Sequence, residues 1–200
     1  MIIRRTAAVA LLGAAITLVG AEVQSIGAQA TVLPKEQQIA AAVLPLSVEG
    51  RSTARVMGYG ADGKLVVLRD GKGITCLASD PKHDTFHVAC YHESMEPFMA
   101  RGRALRAEGV KGDQVDSVRF REVKAGTLKL PSGPASLFSL TGGAFDPKTG
   151  TAPGAKHLYV VYIPYASTAT TGLPERPAGS QPWIMFPGTP KAHIMFTPGM

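Results

Sequence analysis

The chain has 200 residues, of which 45% are hydrophobic and 18% charged, and its net charge is +6. This balance excludes a disordered chain, and the length excludes a complete (β/α)8 barrel and favours a single domain. The 22 glycines and 15 prolines predict many turns. Asparagine does not occur, which excludes N-linked glycosylation and any site that needs an asparagine side chain.

The N-terminus has the three-part pattern of a secretory signal peptide. Arg4 and Arg5 give a positive start, residues 6–20 form an almost continuous apolar run, and Ala28-Gln29-Ala30 is a small-x-small cleavage site. The apolar run is shorter than the ~20 residues that a membrane-spanning helix needs, so cleavage is favoured over a retained N-terminal anchor. The pattern does not distinguish export by the Sec pathway from export by the Tat pathway.

Two segments follow from this pattern. We expect residues 1–30 to be a cleaved signal peptide and residues 31–200 to be a single α+β domain that is periplasmic or secreted. The remaining chain is mildly basic, and its lysines and arginines between residues 101 and 124 alternate with acidic residues. This mixture indicates a solvated helical face, so we expect no nucleic-acid partner. We also expect no stable membrane insertion after cleavage.

Cys76 and Cys90 are the only cysteines. Because disulfides persist outside the cytosol, we predict that they pair. On the chain-entropy model a bridge closing a loop of this length stabilises the fold by about 3 kcal/mol. The alternative is two buried free thiols. The spacing is not C-x-x-C, so a thioredoxin-like redox role has no support.

The first part of the predicted domain combines one helix and a meander. Residues 34–44 form a helix between Pro34 and Pro45. Residues 54–59, 64–69 and 74–78 read as strands separated by Asp-Gly turns, which predicts an antiparallel meander.

The middle of the chain predicts a strand and then a helix. Residues 85–91 alternate so that Cys90 faces one side and His87 the other. Residues 95–107 form a helix, with Ser94 as its N-cap and a mid-helix glycine, Gly102, that we expect to approach the sheet closely. Arg106 on the same face either reaches solvent or forms a buried ion pair.

The last third of the chain predicts a second helix and more strands. Residues 113–125 read as a helix, although residues 118–123 also alternate like a strand. Residues 135–140 predict one helical turn, and residues 157–164 a central strand. A near-repeat of Ile-Met-Phe predicts a C-terminal hairpin. The fold class is therefore α+β, with a small antiparallel sheet, two or three helices, one disulfide and a C-terminal hairpin.

The densest group of potential ligands is the segment 83–96. Metal sites need several N, S or O donors that converge on one point. A disulfide-bonded Cys90 is not available as a thiolate, so the candidate zinc or copper ligands are His83, His87, His92 and Glu96. The alternative is a polar strand edge followed by a helix start. A soft copper site of Met185, His193 and Met195 competes with a hairpin core.

No complete nucleophile, acid–base or metal motif is present, so no catalytic residue is assigned. The first hypothesis is an exported, non-catalytic binding or interaction module that uses the sheet face or the loops between residues 142 and 182. The alternative is a periplasmic metal-binding or metal-dependent protein that uses the His83, His87, His92 and Glu96 stretch. A small hydrolase assembled from distant residues is a third hypothesis. The sequence identifies no partner or ligand-binding residue.

Overall fold

The computed structural model describes residues 32–197. The predicted signal peptide and its cleavage site lie outside the described residues. The strands are β1 (Arg55–Tyr59), β2 (Leu65–Arg69), β3 (Ile74–Leu77), β4 (His87–His92), β5 (Ala135–Thr141), β6 (Lys156–Tyr162), β7 (Trp183–Met185) and β8 (His193–Phe196). The helices are α1 (Lys35–Ala42), α2 (Val48–Arg51), α3 (Glu96–Ala107), α4 (Asp113–Lys124) and α5 (Thr168–Thr171), and a 3-10 turn at Glu93–Met95 leads into α3.

The strands form one eight-stranded sheet in the order β2-β1-β3-β4-β5-β6-β8-β7. The prediction of a mixed fold with helices and one sheet is confirmed, but the sheet is not small. It is also not wholly antiparallel, since β1 and β3 run parallel. The β7–β8 pair is the predicted C-terminal hairpin.

The predicted meander is wrong in its strand order, because β3 lies beside β1 and not beside β2. The link from β2 to β3 crosses the start of β1, where the Lys72 N–H donates to the Thr53 carbonyl at 3.0 Å. Gly71 makes this crossing possible, since a Cβ there would lie 2.3 Å from the backbone of Thr53 and Arg55. The Asp-Gly pair therefore serves a crossover and not a hairpin.

The helical turn predicted at residues 135–140 is also wrong, because this segment is β5. It pairs with β4 on one side and with β6 on the other. A strand with partners on both sides satisfies all its backbone groups in the sheet, and this outweighs the weak local preference. The predicted central strand at 157–164 is β6.

The predicted longer helices are present as α1, α3 and α4, and the strand alternative for 118–123 is wrong. α2 and α5 are one-turn helices that the sequence pattern missed, so the described residues contain five α-helices rather than two or three.

Ser94 is not the N-cap of α3, because it lies inside the 3-10 turn. Gly102 packs against α4 and not the sheet, since a Cβ there would lie 3.0 Å from Arg119. Arg106 is exposed to solvent, so of the two predicted alternatives the buried ion pair is wrong.

The sheet has two covered faces. The α1 face packs against α1, with the side chains of Val56, Cys76 and Cys90 fully buried. Its Cys76–Cys90 disulfide joins directly opposite residues of β3 and β4, which confirms the predicted pairing. The α3 face packs Tyr91 and Leu137 against Met95 and Met99. None of the helices within residues 32–197 has the length and hydrophobicity of a membrane-spanning segment.

Candidate functional site

The four candidate metal ligands lie in the loop before β4, at the two ends of β4 and at the start of α3. His83 lies in the exposed loop between β3 and β4, with its Nε2 4.0 Å from Asp80 Oδ2. His87 begins β4, where its Nδ1 lies 2.8 Å from the Thr141 hydroxyl. His92 ends the same strand, five residues later and therefore on the opposite face.

His92 and Glu96 make hydrogen bonds that stabilise the start of α3. The Nδ1 of His92 lies 2.8 Å from the Ser94 hydroxyl and accepts a hydrogen bond from the Ser94 N–H, which caps the 3-10 turn. Glu96 bonds to Tyr91 and Arg103. Within residues 32–197, no three His, Cys, Asp or Glu side chains form a group that could hold a metal ion. Metal binding stays a prediction that metal analysis can test.

The proposed copper residues lie in the C-terminal hairpin. Met185 stands opposite His193 in the β7–β8 ladder. His193 is buried, and its Nδ1–H donates to the Lys191 carbonyl at 2.7 Å. Its ring packs 4.6 Å from the ring of Tyr162, centroid to centroid. These contacts place His193 in the core of the hairpin.

A cleft on the α3 face brings together part of the predicted stretch. Its volume is about 540 Å³, which is within the range of cavities that hold small organic ligands. Leu65, Leu77 and Ala89 give it an apolar floor on β2, β3 and β4. We call this cavity the α3-face cleft. Its remaining lining residues are Tyr59, Ala78, Asp80, His83, Asp84, Thr85, His87 and Arg103.

Arg103 is the cationic side chain of the cleft, and hydrogen bonds to other residues of the protein fix its position. Its guanidinium donates to the Tyr91 hydroxyl at 2.7 Å and to the Glu96 carboxylate at 2.6 Å. Arg55 lies 3.6 Å from the same carboxylate. Two guanidinium groups around one carboxylate leave a net positive charge at this wall, and the hydrogen bonds fix its position.

Tyr91, on β4, is the third member of the network that contains Arg103 and Glu96. Its hydroxyl donates to Glu96 at 2.5 Å. Burial, reinforced by the bonded carboxylate of Glu96, raises the pKa of Tyr91 well above its ordinary value. The phenol is therefore a neutral donor at physiological pH, and it links β4 to α3.

The opposite wall of the cleft is acidic and belongs to the loop between β3 and β4. Asp80 and Asp84 line it together with His83. Burial, together with the neighbouring Asp80 carboxylate, raises the pKa of Tyr59 to about 12. Tyr59 is thus another neutral hydroxyl, so the cleft carries a cation on one wall and carboxylates on the other.

His87 lines the cleft, and its Nδ1 lies 2.8 Å from the Thr141 hydroxyl, which resembles a base beside a hydroxyl nucleophile. Burial lowers the pKa of His87, so its ring is neutral at pH 7. A nucleophile–base pair also needs a third group that orients the base. Within residues 32–197, no carboxylate makes a hydrogen bond or ion pair with the His87 ring. The arrangement is incomplete as a catalytic site.

A second cavity lies behind the same loop on the α1 face. Its volume is about 230 Å³, and Asp80, His83 and Asp84 line it as well. Its other walls are largely apolar and include Phe86 and Phe145. One short loop therefore separates two cavities on the two faces of the sheet.

Sequence reasoning identified His83 and His87 but missed Arg103, Tyr59 and Asp80. The sequence did contain a signal for Arg103. Glu96 and Arg103 are seven residues apart on one helix and therefore share a face, which predicts an ion pair between them. The contribution of β1 and β2 depends on the strand order, which the sequence pattern did not predict. Comparison of the chain with protein-family models, curated proteins and solved structures found no match.

Proposed function

We propose that this chain is an exported, non-catalytic binding protein that holds a small ligand in the α3-face cleft. The observation that carries the proposal is the placement of an anchored guanidinium, Arg103, and two carboxylates, Asp80 and Asp84, around one apolar floor. The disulfide and the predicted signal peptide support an extracytosolic location.

The charges of the two walls define the ligand class. A carboxylate on the ligand pairs with Arg103, and an ammonium group pairs with Asp80 or Asp84. The apolar floor favours an apolar side chain that packs below these charged groups. Amino acids with apolar side chains and short apolar peptides have this combination, and they are the ligand class that we propose.

The absence of an oriented base at His87 in the described structure favours binding over catalysis. Arg103 already donates to two partners in the protein, so it has been fixed before a ligand arrives. Prior fixing of a polar group reduces the entropy that binding must overcome. The same cleft therefore has the features of a recognition site.

The test is a binding titration on the purified protein. We expect apolar amino acids or di- and tripeptides to raise the melting temperature and to give saturable heats of binding. N-acetylated or C-amidated forms of the same compounds are expected to bind at least tenfold more weakly, because each lacks one charge. Equal binding of blocked and unblocked forms, or no saturable binding by any of them, would overturn the proposal.

Two variants locate the site. Ala89→Phe fills the apolar floor and is expected to abolish binding, and Asp84→Asn removes one carboxylate of the acidic wall. The matched control is Glu175→Gln, which neutralises an exposed carboxylate outside the cleft. Elemental analysis of the same preparation tests the alternative, since stoichiometric zinc or copper would favour a metal-binding protein.

A further inference from the structure

The second cavity, which we call the α1-face cavity, is small and largely apolar. Its volume is about 230 Å³, which is below the roughly 300–1,000 Å³ of clefts that hold drug-sized ligands. Two phenylalanines, Phe86 and Phe145, line it, and Leu33 and Ala41 add aliphatic surface. The size and the lining suit a compact ligand with apolar surface.

The charged groups of the α1-face cavity are acidic. Asp80 and Asp84 line it, and its described lining contains no lysine or arginine. Asp80 Oδ1 accepts a hydrogen bond from the Lys82 N–H at 2.9 Å, and Asp80 Oδ2 lies 4.0 Å from the Nε2 of His83. The α3-face cleft shares both carboxylates, but Arg103 lines that cleft as well. The α1-face cavity therefore complements a cation that carries no carboxylate of its own.

Hydrogen bonds fix two walls of this cavity. Gln38 lines it and is only 5% exposed. Its side-chain amide donates to the Leu33 carbonyl at 2.7 Å and to the Tyr59 carbonyl at 3.0 Å, which holds the segment before α1 in place. The Gly142 N–H donates to the Phe86 carbonyl at 2.9 Å and joins the loop after β5 to the start of β4. Fixed walls reduce the entropy that binding must overcome.

We propose that the α1-face cavity binds a small organic cation, an ammonium group that carries methyl or other short alkyl substituents. Aromatic side chains attract cations, and quaternary ammonium groups are commonly recognised by aromatic residues. Phe86 and Phe145 supply the aromatic surface, and the carboxylates of Asp80 and Asp84 supply the opposite charge. The alkyl substituents bury apolar surface against the aliphatic walls. This site is additional to the α3-face cleft and does not depend on the ligand proposed there.

Calorimetric titration of the purified protein with choline tests the proposal. We expect saturable binding of choline and at least tenfold weaker binding of 3,3-dimethylbutan-1-ol, which has the same shape but a carbon in place of the charged nitrogen. Glycine betaine adds a carboxylate to the same ammonium group and is also expected to bind more weakly than choline. No saturable binding of choline, or binding of either analogue that is as tight as that of choline, would overturn the proposal.

Phe145→Leu locates the cation, because Phe145 lines the α1-face cavity and not the α3-face cleft. The variant keeps an apolar side chain but loses the ring, so we expect choline to bind about fivefold more weakly. Phe196→Leu makes the same change at an exposed position outside both cavities and is the matched control. The circular dichroism spectrum of each variant checks that it folds like the parent chain.

Two further variants separate the two cavities. Ala89→Phe fills only the α3-face cleft and is expected to bind choline like the parent protein. Asp84→Asn removes one carboxylate and is expected to weaken choline binding about threefold. Loss of choline binding in Ala89→Phe, or parent affinity in either Phe145→Leu or Asp84→Asn, would overturn the proposal. Because amino acids and peptides are titrated separately, failure of this proposal is distinguishable from failure of the function proposed for the α3-face cleft.

Discussion

The guanidinium of Arg103 donates at 2.6 Å to the carboxylate of Glu96, seven residues earlier on the same helix. The same guanidinium bonds to the hydroxyl of Tyr91 on β4. The contact therefore joins helix α3 to the sheet and at the same time fixes a cation at the wall of the α3-face cleft. We therefore expect stability and the proposed ligand binding to depend on one side-chain network.

Replacement of Glu96 tests this link. Glu96→Gln removes the charge that pairs with Arg103, and we expect a loss of about 1–2 kcal/mol in unfolding free energy after partial solvent screening. Urea denaturation measures this loss. Glu108→Gln is the control, because its pair with Arg101 is exposed and is expected to contribute less. Equal losses in the two variants would contradict a special role for the Glu96 network.

The Cys76–Cys90 disulfide is the second testable contribution to stability. The double variant Cys76→Ala/Cys90→Ala is expected to lose about 3 kcal/mol, because the unfolded chain gains the freedom of the opened loop. Urea denaturation with and without dithiothreitol measures the effect, and only the parent protein should respond to the reductant. Free thiols in the denatured, unreduced parent protein would contradict the pairing.

Asp116 links α4 to the segment before β8. Burial alone would raise its pKa, but hydrogen bonds from Lys191, at 2.5 Å, and from Arg119 outweigh burial and lower it below the ordinary value of 3.8. A lowered folded pKa means that this contribution to stability is present above pH ~4 and is lost as the pH falls through the folded pKa.

We therefore expect Asp116→Asn to cost about 2 kcal/mol at pH 7 and less as the pH falls below ~4 toward ~2.5. The difference in unfolding free energy between the parent and variant proteins at the two pH values measures this. Asp113→Asn, in the exposed first turn of the same helix, is the matched control. A cost that is the same at both pH values would show that the Asp116 charge has no role.

His193 gives a pH dependence in a higher range. Burial lowers its pKa from the ordinary value of 6.5. As the pH falls below 6.5, the unfolded chain binds a proton before the folded chain does, so stability decreases until the folded pKa has been passed. His193→Phe keeps the aromatic packing and is expected to flatten this decrease between pH 8 and pH 5. A decrease of the same slope in His193→Phe and in the parent protein would contradict this role of His193.

The crossover below β1 depends on a single glycine. Gly71→Ala places a methyl group 2.3 Å from the backbone of β1, and we expect a loss of about 1–3 kcal/mol. Gly133→Ala is the matched control, because a Cβ there meets nothing within 4 Å. Thermal unfolding of both variants measures the contrast. A Gly71→Ala protein as stable as the control would contradict the close approach.

The sequence alone determined the features that depend on nearby residues. The periodicity and end signals of α1, α3 and α4, the alternation of β4 and the apolar run of β6 are local patterns, and each predicted element is present. The pairing of Cys76 with Cys90 was also predictable, because the chain has only these two cysteines. The structure confirms the disulfide between them.

The tertiary structure decided the order of the strands and the membership of the cleft. The position of β3 beside β1 depends on a backbone crossing at Gly71, and the strand conformation of β5 depends on partners from β4 and β6. Arg103, Tyr59 and Asp80 come together only because that strand order brings distant segments to one face. Contacts between residues far apart in the chain follow from packing and backbone pairing, and no local pattern encodes them.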